Sequence, residues 1–516
     1  MNEGHESEAS ATSSSSKSSD KVPPLSEIQV IEVNRENFNK IWPYLLVCIK
    51  AADFTAMDLE LSGLGGKGLW SRDINERYRT IREAAHTRSI LSVGITTMKL
   101  TRRSETRRVL RYETQVFNIL TLSENPFIVE PSSLEFLAKH SFDFNRLIQT
   151  GVRLQGKNCP LKTLFRELLG SSASFCLHNG FVDLAFIYKH LYDVNLPDTL
   201  DGFVNNLCDL FPDDFLPIAD SKYLAEYQTR MTSSYLEYVF RRCQGDNEIE
   251  RQNKRYHIEI QFPSTEKSSR TLKKAVETVD IRLQEGFPTH AVPIDLHNTL
   301  CKSFAYQGFC QSRNTEKGCN KLHDVDSAID FQRMKENKKA FKRKRRYNNV
   351  IAESVAAKVE TEEEEWKNAK SENKLLTRDF KKQKRNMLTG IHRAGVDAFM
   401  TAFSVVYQQR RSLMTENSVD LEFLNRVPLS AKDKPLHLRR REVPIIKTEE
   451  AEAHSQAMAE INKHREYVRQ NAAVKALLRV VEEKEDEVRI DETKTAIGTE
   501  EIKNEEEGAK TDAEDC

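Results

Sequence analysis

The stretch GIHRAGVDAFMT, Gly390–Thr401, constrains this chain more than any other. It follows a long segment, Lys335–Arg385, that carries its charge in blocks and has almost no core character. A His, a Gly and an Asp then fall close together, followed by the apolar run Ala398-Phe399-Met400. So equipped a piece is either a second small domain or the last part of an earlier one. The rest of the chain has to decide between them.

With 516 residues, roughly two or three domains are possible. Charged residues make up 30% of the chain, and the mean hydropathy of -0.60 is low for one globular unit. A folded core with long solvated segments is expected. The net charge of zero hides segregation. Lys338–Arg346 is almost entirely basic, whereas beyond Val480 there are fifteen acids against five bases. Blocks of this kind stay solvated and often serve as interaction tails. No apolar run is long enough to span a bilayer. The Ser-rich start has no apolar signal-peptide core. Nine scattered cysteines fit a reducing compartment.

Ordered sequence begins near Ile28. IQVIEV alternates as a strand does, and NFNKIWPYLLVCIKAA has helical spacing at Phe38, Ile41, Leu45 and Ile49. DFTAMDLELSGLGG predicts a strand that ends in a flexible glycine loop. SILSVGITTM, TQVFNIL, SFCLHN and RYHIEIQF are further strands, and FVDLAFIYKHLY is an apolar helix. Strands and helices mix through about residue 260, which predicts an α/β domain with a mixed sheet. Residues 455–490 predict a charged, exposed helix.

Asp58 and Glu60 share one face of their strand, because strand side chains alternate. At the edge of a sheet, two like charges are costly unless a cation neutralises them, and oxygen ligands favour Mg²⁺ or Mn²⁺. D-x-E is also a common tripeptide at a solvated strand end. Asp183 falls in the first turn of the helix after His178-Asn179-Gly180. There the helix dipole accounts for it as readily as a metal does. Gly395 predicts a turn and Val396–Tyr407 a helix with Asp397 in its first turn. Its apolar residues, Phe399, Met400 and Phe403 among them, predict that it docks on a core rather than decorating a surface. His392, just before it, has a pKa suited to a general base.

The four acids and the histidine resemble the DEDD exonuclease set in its histidine subtype. The stretches AADFTAMDLELSGLG, TRSILSVGIT, QVFNIL, FLAKHSFDFNRLIQTGV, LHNGFVDLAFIY, LFPDDFLPIADSKYLAEY and GIHRAGVDAFMT stand in the order of the poly(A)-specific ribonuclease group. Within that group the chain resembles the nuclear, zinc-finger-bearing Target of Egr branch. The resemblance covers residues 28–262 and 388–408. It implies an RNase H-like mixed sheet flanked by helices. Asp58, Glu60, Asp183 and Asp397 would hold two Mg (or Mn) ions, and His392 would orient or deprotonate the attacking water. The substrate would be an adenosine-rich RNA 3′ end and the product a 5′-mononucleotide. Asp220 matches a segment of that family whose role is either structural or one of supporting the metal ligands from behind. Thr401-Ala402 replaces the usual Thr-Gly of the late motif, a change that touches helix packing.

Cys301, Cys310, Cys319 and His323 follow C-x8-C-x8-C-x3-H. Three cysteines and a histidine suit tetrahedral Zn²⁺, and the pattern resembles the CCCH finger of RNA-binding proteins. The middle spacing exceeds the commonest form by three residues within QSRNTEKG. Closing a longer loop costs little, so one structural Zn is expected. Phe304, Tyr306 and Phe309 are candidates for base stacking, with Phe309 expected in the module's own core. Lys338–Arg346 and Lys381–Arg385 read as nuclear localisation signals, as phosphate contacts or as a solvated helix.

The expected organisation is a disordered tail (1–24), the first part of an exonuclease core (25–264), a zinc finger insertion (295–327), a charged insertion (328–387), the final core motif (388–410) and a charged C-terminal region (411–516). GIHRAGVDAFMT then completes the first domain. The expected function is a nuclear, Mg-dependent 3′→5′ exoribonuclease that trims or deadenylates non-coding RNA, small nuclear RNA precursors in particular, in the nucleolus or Cajal body. Nuclear import machinery and a protein bound by the acidic tail are the expected partners besides RNA, with no membrane. A non-catalytic RNA-binding scaffold is the alternative, against which the intact acid set speaks. A DNA 3′ exonuclease is a third reading that the finger type disfavours.

Overall fold

The computed structural model describes residues 23–154, 159–263, 269–290, 292, 295–314, 318–352, 393–429, 434–442 and 448–471. Two strands dominate it. β3 (Ile90–Ser104) and β4 (Val109–Leu122) form a long antiparallel hairpin that turns at Arg108, whose φ is 54°. Around this hairpin stand β1 (Glu27–Val33), β2 (Phe54–Leu61), β5 (Val152–Arg153), β6 (Ser174–Leu177), β7 (Ile218–Asp220), β8 (His257–Gln261) and β9 (Val276–Asp280). The sheet is mixed and nine-stranded, in the order β7-β6-β2-β3-β4-β1-β9, with β5 and β8 also paired to β4. β8 takes the first half of β4 and β1 the second. The sheet therefore runs past residue 264, because β9 pairs antiparallel with β1.

Helices cover both faces. α1 (Phe38–Ala51), α2 (Ile74–Thr87), α5 (Pro160–Leu169), α6 (Phe181–Ile187) and α7 (Leu200–Leu210) build one apolar core with the odd-numbered residues of β1 and β2. The apolar positions of α1 read from its spacing, Phe38, Ile41, Leu45 and Ile49, are all buried. α3 (Pro131–Lys139) and α4 (Phe144–Thr150) flank the end of β4.

The opposite face is covered by α8 (Leu236–Gln252) and, far along the chain, by α12 (Ala394–Thr415). Between them come α9 (Arg270–Ala275), α10 (Lys302–Gln307) and α11 (Val325–Ala352), the last carrying the backbone of the basic run Lys338–Arg346. α12 is apolar nearly all round and buried along most of its length, as such a helix must be. It begins earlier than expected, and Gly395 lies inside its first turn rather than in a preceding turn. A Cβ there would press on the Phe117 carbonyl oxygen and on Asn118 Cβ, each at 3.0 Å.

Past α12, the short β10 (Arg426–Val427) and β11 (Leu436–His437) pair with each other, and residues 449–471 form α13. Over residues 455–471 this helix is not the exposed one expected, and 472–490 of that expectation lie outside the described residues. His454, Met458, Ile461 and Arg465, spaced by helical turns, are buried on the first core. Apart from Arg465, its acids and most of its bases occupy the other face. The Ser-rich residues 1–22, Glu362–Glu365, Lys381–Arg385, His392 and the acidic tail lie outside the described residues.

Candidate active site

β2 carries the first two acids. It is an inner strand, not a sheet edge, paired with β3 along its whole length and with β6 only through Phe54–Ala56. Beyond Ala56 its β6 side is open, and there Asp58 and Glu60 project on the face under α12. A register shift between Glu60 and Leu61 ends the regular pairing. The loop that follows is pinned rather than flexible. Glu130 accepts the N–H groups of Leu64 (3.2 Å) and Gly65 (2.9 Å) and is held by Arg88 at 2.8 Å.

Asp397 enters from the first turn of α12, 339 positions after Asp58. The crossing is possible because β3 presents Gly94 beside Asp58, and the backbone of Ala394 and Gly395 rests directly on it. One ligating atom from each of Asp58, Glu60 and Asp397 lies within 4.8 Å of the others. Asp183 sits in the first turn of α6, and its charge acts on both Asp58 and Glu60. The turn that delivers it is set by Asn179, in the left-handed region at φ 58°. Asp220, fully buried, accepts the N–H groups of Asn179 (3.1 Å) and Gly180 (3.0 Å), and those of Lys222 and Tyr223. It is a structural anchor for that turn.

Electrostatically the cluster is unbalanced. Burial raises the Asp58 carboxyl well above its ordinary value, and the charges of Asp397, Asp183 and Glu60 add to the effect. Glu60 is pushed up to about 8 by burial and by Asp183, and Asp183 to about 7, chiefly by burial. Asp397 is raised by burial and then by Glu60 and Glu237. At Asp58 and Glu60 the shifts come from burial and from neighbouring acids. Like charges gathered in this way fit a hard divalent ion bound through oxygen. His178 offers no base, because its Nδ1 is 2.8 Å from Ser221 Oγ and burial pushes its pKa down to about 3.

Glu237, in the first turn of α8, escapes a reading of the sequence. It lies within an otherwise charged segment, LEYVFRRCQGDNEIERQ, and only the fold aims it at Asp397. Arg393 is also missed. It bridges Glu32 at 3.2 Å and Glu277 at 2.5 Å from the residue before α12.

The second cluster gathers Cys301, Cys310, Cys319 and His323, whose ligand atoms lie within 4.8 Å of one another. An isolated bridge between Leu300 and Leu322, with Cys301 N–H donating to Leu322 O at 3.0 Å, sets Cys301 beside His323. Gly308 (φ 79°) ends α10 and redirects the chain to Cys310, and Gly318 (φ 59°) leads into Cys319. Phe309 is not in a core: it is 56% exposed, and Phe304 turns inward instead, edge-on to His323. Tyr306 is 38% exposed. The module leans on α8 and the residues before it. Ser233 Oγ donates to Ala305 O at 2.9 Å, and Arg241 grips Asp326 with two bonds of 2.9 and 2.7 Å.

Residues 33–160 and 154–405 match the model of the CAF1 family ribonuclease, and the chain belongs to that family. It is 22% identical to the poly(A)-specific ribonuclease of Xenopus laevis over 419 residues, 73% of this chain and 62% of the relative. To the Danio rerio enzyme of the same name it is 28% identical over 156 residues, 27% of this chain and 23% of the relative. The chain thus matches less than two thirds of either relative's length. Among solved structures, that of S. pombe Pop2p in its Mg²⁺- and Mn²⁺-bound form superposes with a TM-score of 0.33 at 18% identity, over 43% of this chain and 82% of that one.

Proposed function

We propose that the chain is a 3′→5′ exoribonuclease that trims adenosine-rich RNA 3′ ends, of the histidine subtype and the nuclear Target of Egr branch. The observation that carries the reading is the convergence of Asp58, Glu60 and Asp397 from distant parts of the chain onto one spot. Such a cluster is destabilising unless it binds cations. Asp58, Glu60, Asp397 and Asp183 would hold two Mg²⁺ or Mn²⁺ ions, which when bound supply an acidified water and charge compensation for a phosphoryl group. Buried and half-buried carboxylates on a strand and two helix first turns keep that geometry rigid, which matters where small displacements cost large factors in rate. His392, five residues before Asp397 in the sequence, is assigned as general base. Small nuclear RNA precursors, a nuclear location reached by import through the basic runs, and a protein partner for the acidic tail complete the reading. Cys301, Cys310, Cys319 and His323 are assigned to one structural Zn²⁺.

The test is trimming of a labelled RNA ending in oligo(A), with Mg²⁺ and then with EDTA, beside Asp58→Ala. Stepwise shortening is expected only for the wild type with metal. An intact RNA, or equal trimming by the variant, overturns the assignment, and a matching DNA strand separates ribonuclease from deoxyribonuclease.

A further inference from the structure

A cavity of about 550 Å³ opens at the carboxyl end of β1, between α1, α4 and α9. Lys40, Arg146, Arg270 and Lys274 line it, against the carboxylates Glu32 and Glu277. Those carboxylates already have a cation, because Arg393 bonds to both. Arg146 stands farther off, 3.7 Å from Glu32 and 3.8 Å from Glu277. The side chains of Lys40, Arg270 and Lys274 make no ion pair or hydrogen bond among the described residues. Positive charge is therefore in surplus at the mouth, while the floor is neutralised from below. An anionic ligand completes this arrangement.

The cavity is also aligned with the acid cluster. Glu32 on β1, Asn118 on β4, Gly94 on β3 and Asp58 on β2 are lateral neighbours in one row across the sheet. They share a face, and Glu32 lies three strand spacings from Asp58, about 14 Å. β1 and β4 are parallel, and β3 is antiparallel to both β4 and β2, so the carboxyl ends of β1 and β2 lie on the same edge. That edge is where open α/β sheets take their ligands. The volume suits a nucleotide rather than a bare ion.

We propose that this cavity is a nucleotide-phosphate subsite, in which Lys40, Arg146, Arg270 and Lys274 receive a phosphate of an RNA chain or of a released mononucleotide. The proposal rests on the ribonuclease reading, but its test does not require cleavage. In the full chain carrying Asp58→Ala, without divalent ions, binding of a fluorescent oligo(A) RNA and of adenosine 5′-monophosphate is measured before and after adding Arg270→Glu with Lys274→Glu. Both residues are exposed, and Arg146, which holds Glu32, is left in place. Lys254→Glu with Lys463→Glu is the charge-matched control. RNA affinity is expected to fall about tenfold, with the salt slope reduced by about 0.7 for each phosphate that the variant no longer neutralises. Weaker binding of RNA alone assigns the phosphate to the chain, and weaker binding of the monophosphate alone assigns it to the released nucleotide. Unchanged binding of both, or an equal weakening in the control, overturns the proposal. A wild type that fails to trim RNA sinks the function reading instead and leaves this binding result standing.

Discussion

Gly94 on β3 and Ala394 at the start of α12 are in backbone contact: a Cβ on Gly94 would fall within the van der Waals envelope of the Ala394 carbonyl. This contact lets α12 settle on the sheet and brings Asp397 down to Asp58. Gly94→Ala must lift the helix start. Overpacking of this kind costs about 1–3 kcal/mol, whereas a shift near 1 Å in a reacting group costs about a hundredfold in rate. RNA trimming should fall by about two orders of magnitude, with a melting temperature only several degrees lower. A variant that melts early yet trims normally would show that α12 is not the positioning element.

The acid cluster sets a pH dependence. The Glu60 carboxyl titrates near 4.5 when unperturbed and near 8 in the fold. Below 4.5 the proton is bound in both states. Between these values only the folded state keeps it, so metal-free stability falls as pH rises and the loss is complete above about 8. Relative to Glu60→Gln, the wild type should lose a few kcal/mol, to order of magnitude, between pH 5 and pH 8 in EDTA. Added Mg²⁺ should then stabilise the wild type much more at pH 8 than at pH 5. Parallel melting curves for the two proteins across that range would contradict the assignment.

Much of this site is legible in the sequence because its signals are local. DFTAMDLEL announces a strand with two acids on one face, and AGVDAFMTAFSVV announces a buried helix with an acid at its start. What is not legible depends on distant partners. VETVD, with two acids in five residues, becomes β9 only because β1 needs a neighbour. The charged α8 reads as surface, yet it buries Tyr238, Val239, Phe240 and Cys243 beneath Arg241, which is neutralised by Asp326. The row Glu32–Asn118–Gly94–Asp58 spans four strands, and no window of sequence contains it.

The cysteine cluster makes a separable prediction. Metal analysis of the purified full chain should find about one zinc per chain, falling to background in Cys310→Ser with Cys319→Ser. Because the module leans on α8 through Ala305 and Asp326, zinc loss should expose the chain to proteolysis near residues 301–323 while the sheet stays folded. A zinc-free protein with the same protease pattern would mean that the lengthened loop has abolished the site.

Arg465, on α13, closes the ends of two helices at once. Its Nε donates to Leu169 O at 2.9 Å, at the end of α5, and Nη2 to Leu210 O at 2.5 Å, at the end of α7, while Nη1 reaches Asp209 O at 2.9 Å. Terminal carbonyls have no partner within their own helix, and a cation there also meets the negative end of the dipole. Arg465 is 4% exposed, so removing it strands buried acceptors. Arg465→Ala should cost about 2–4 kcal/mol in urea denaturation, at the upper end for bonds to a charged donor. Arg465→Lys should recover only part, since an ammonium has no planar fork to reach three carbonyls. Both losses should appear without divalent ions, because Arg465 is no part of the acid cluster. A change below about 0.5 kcal/mol, the size usual for a surface substitution, would show that α13 does not hold α5 and α7 in solution.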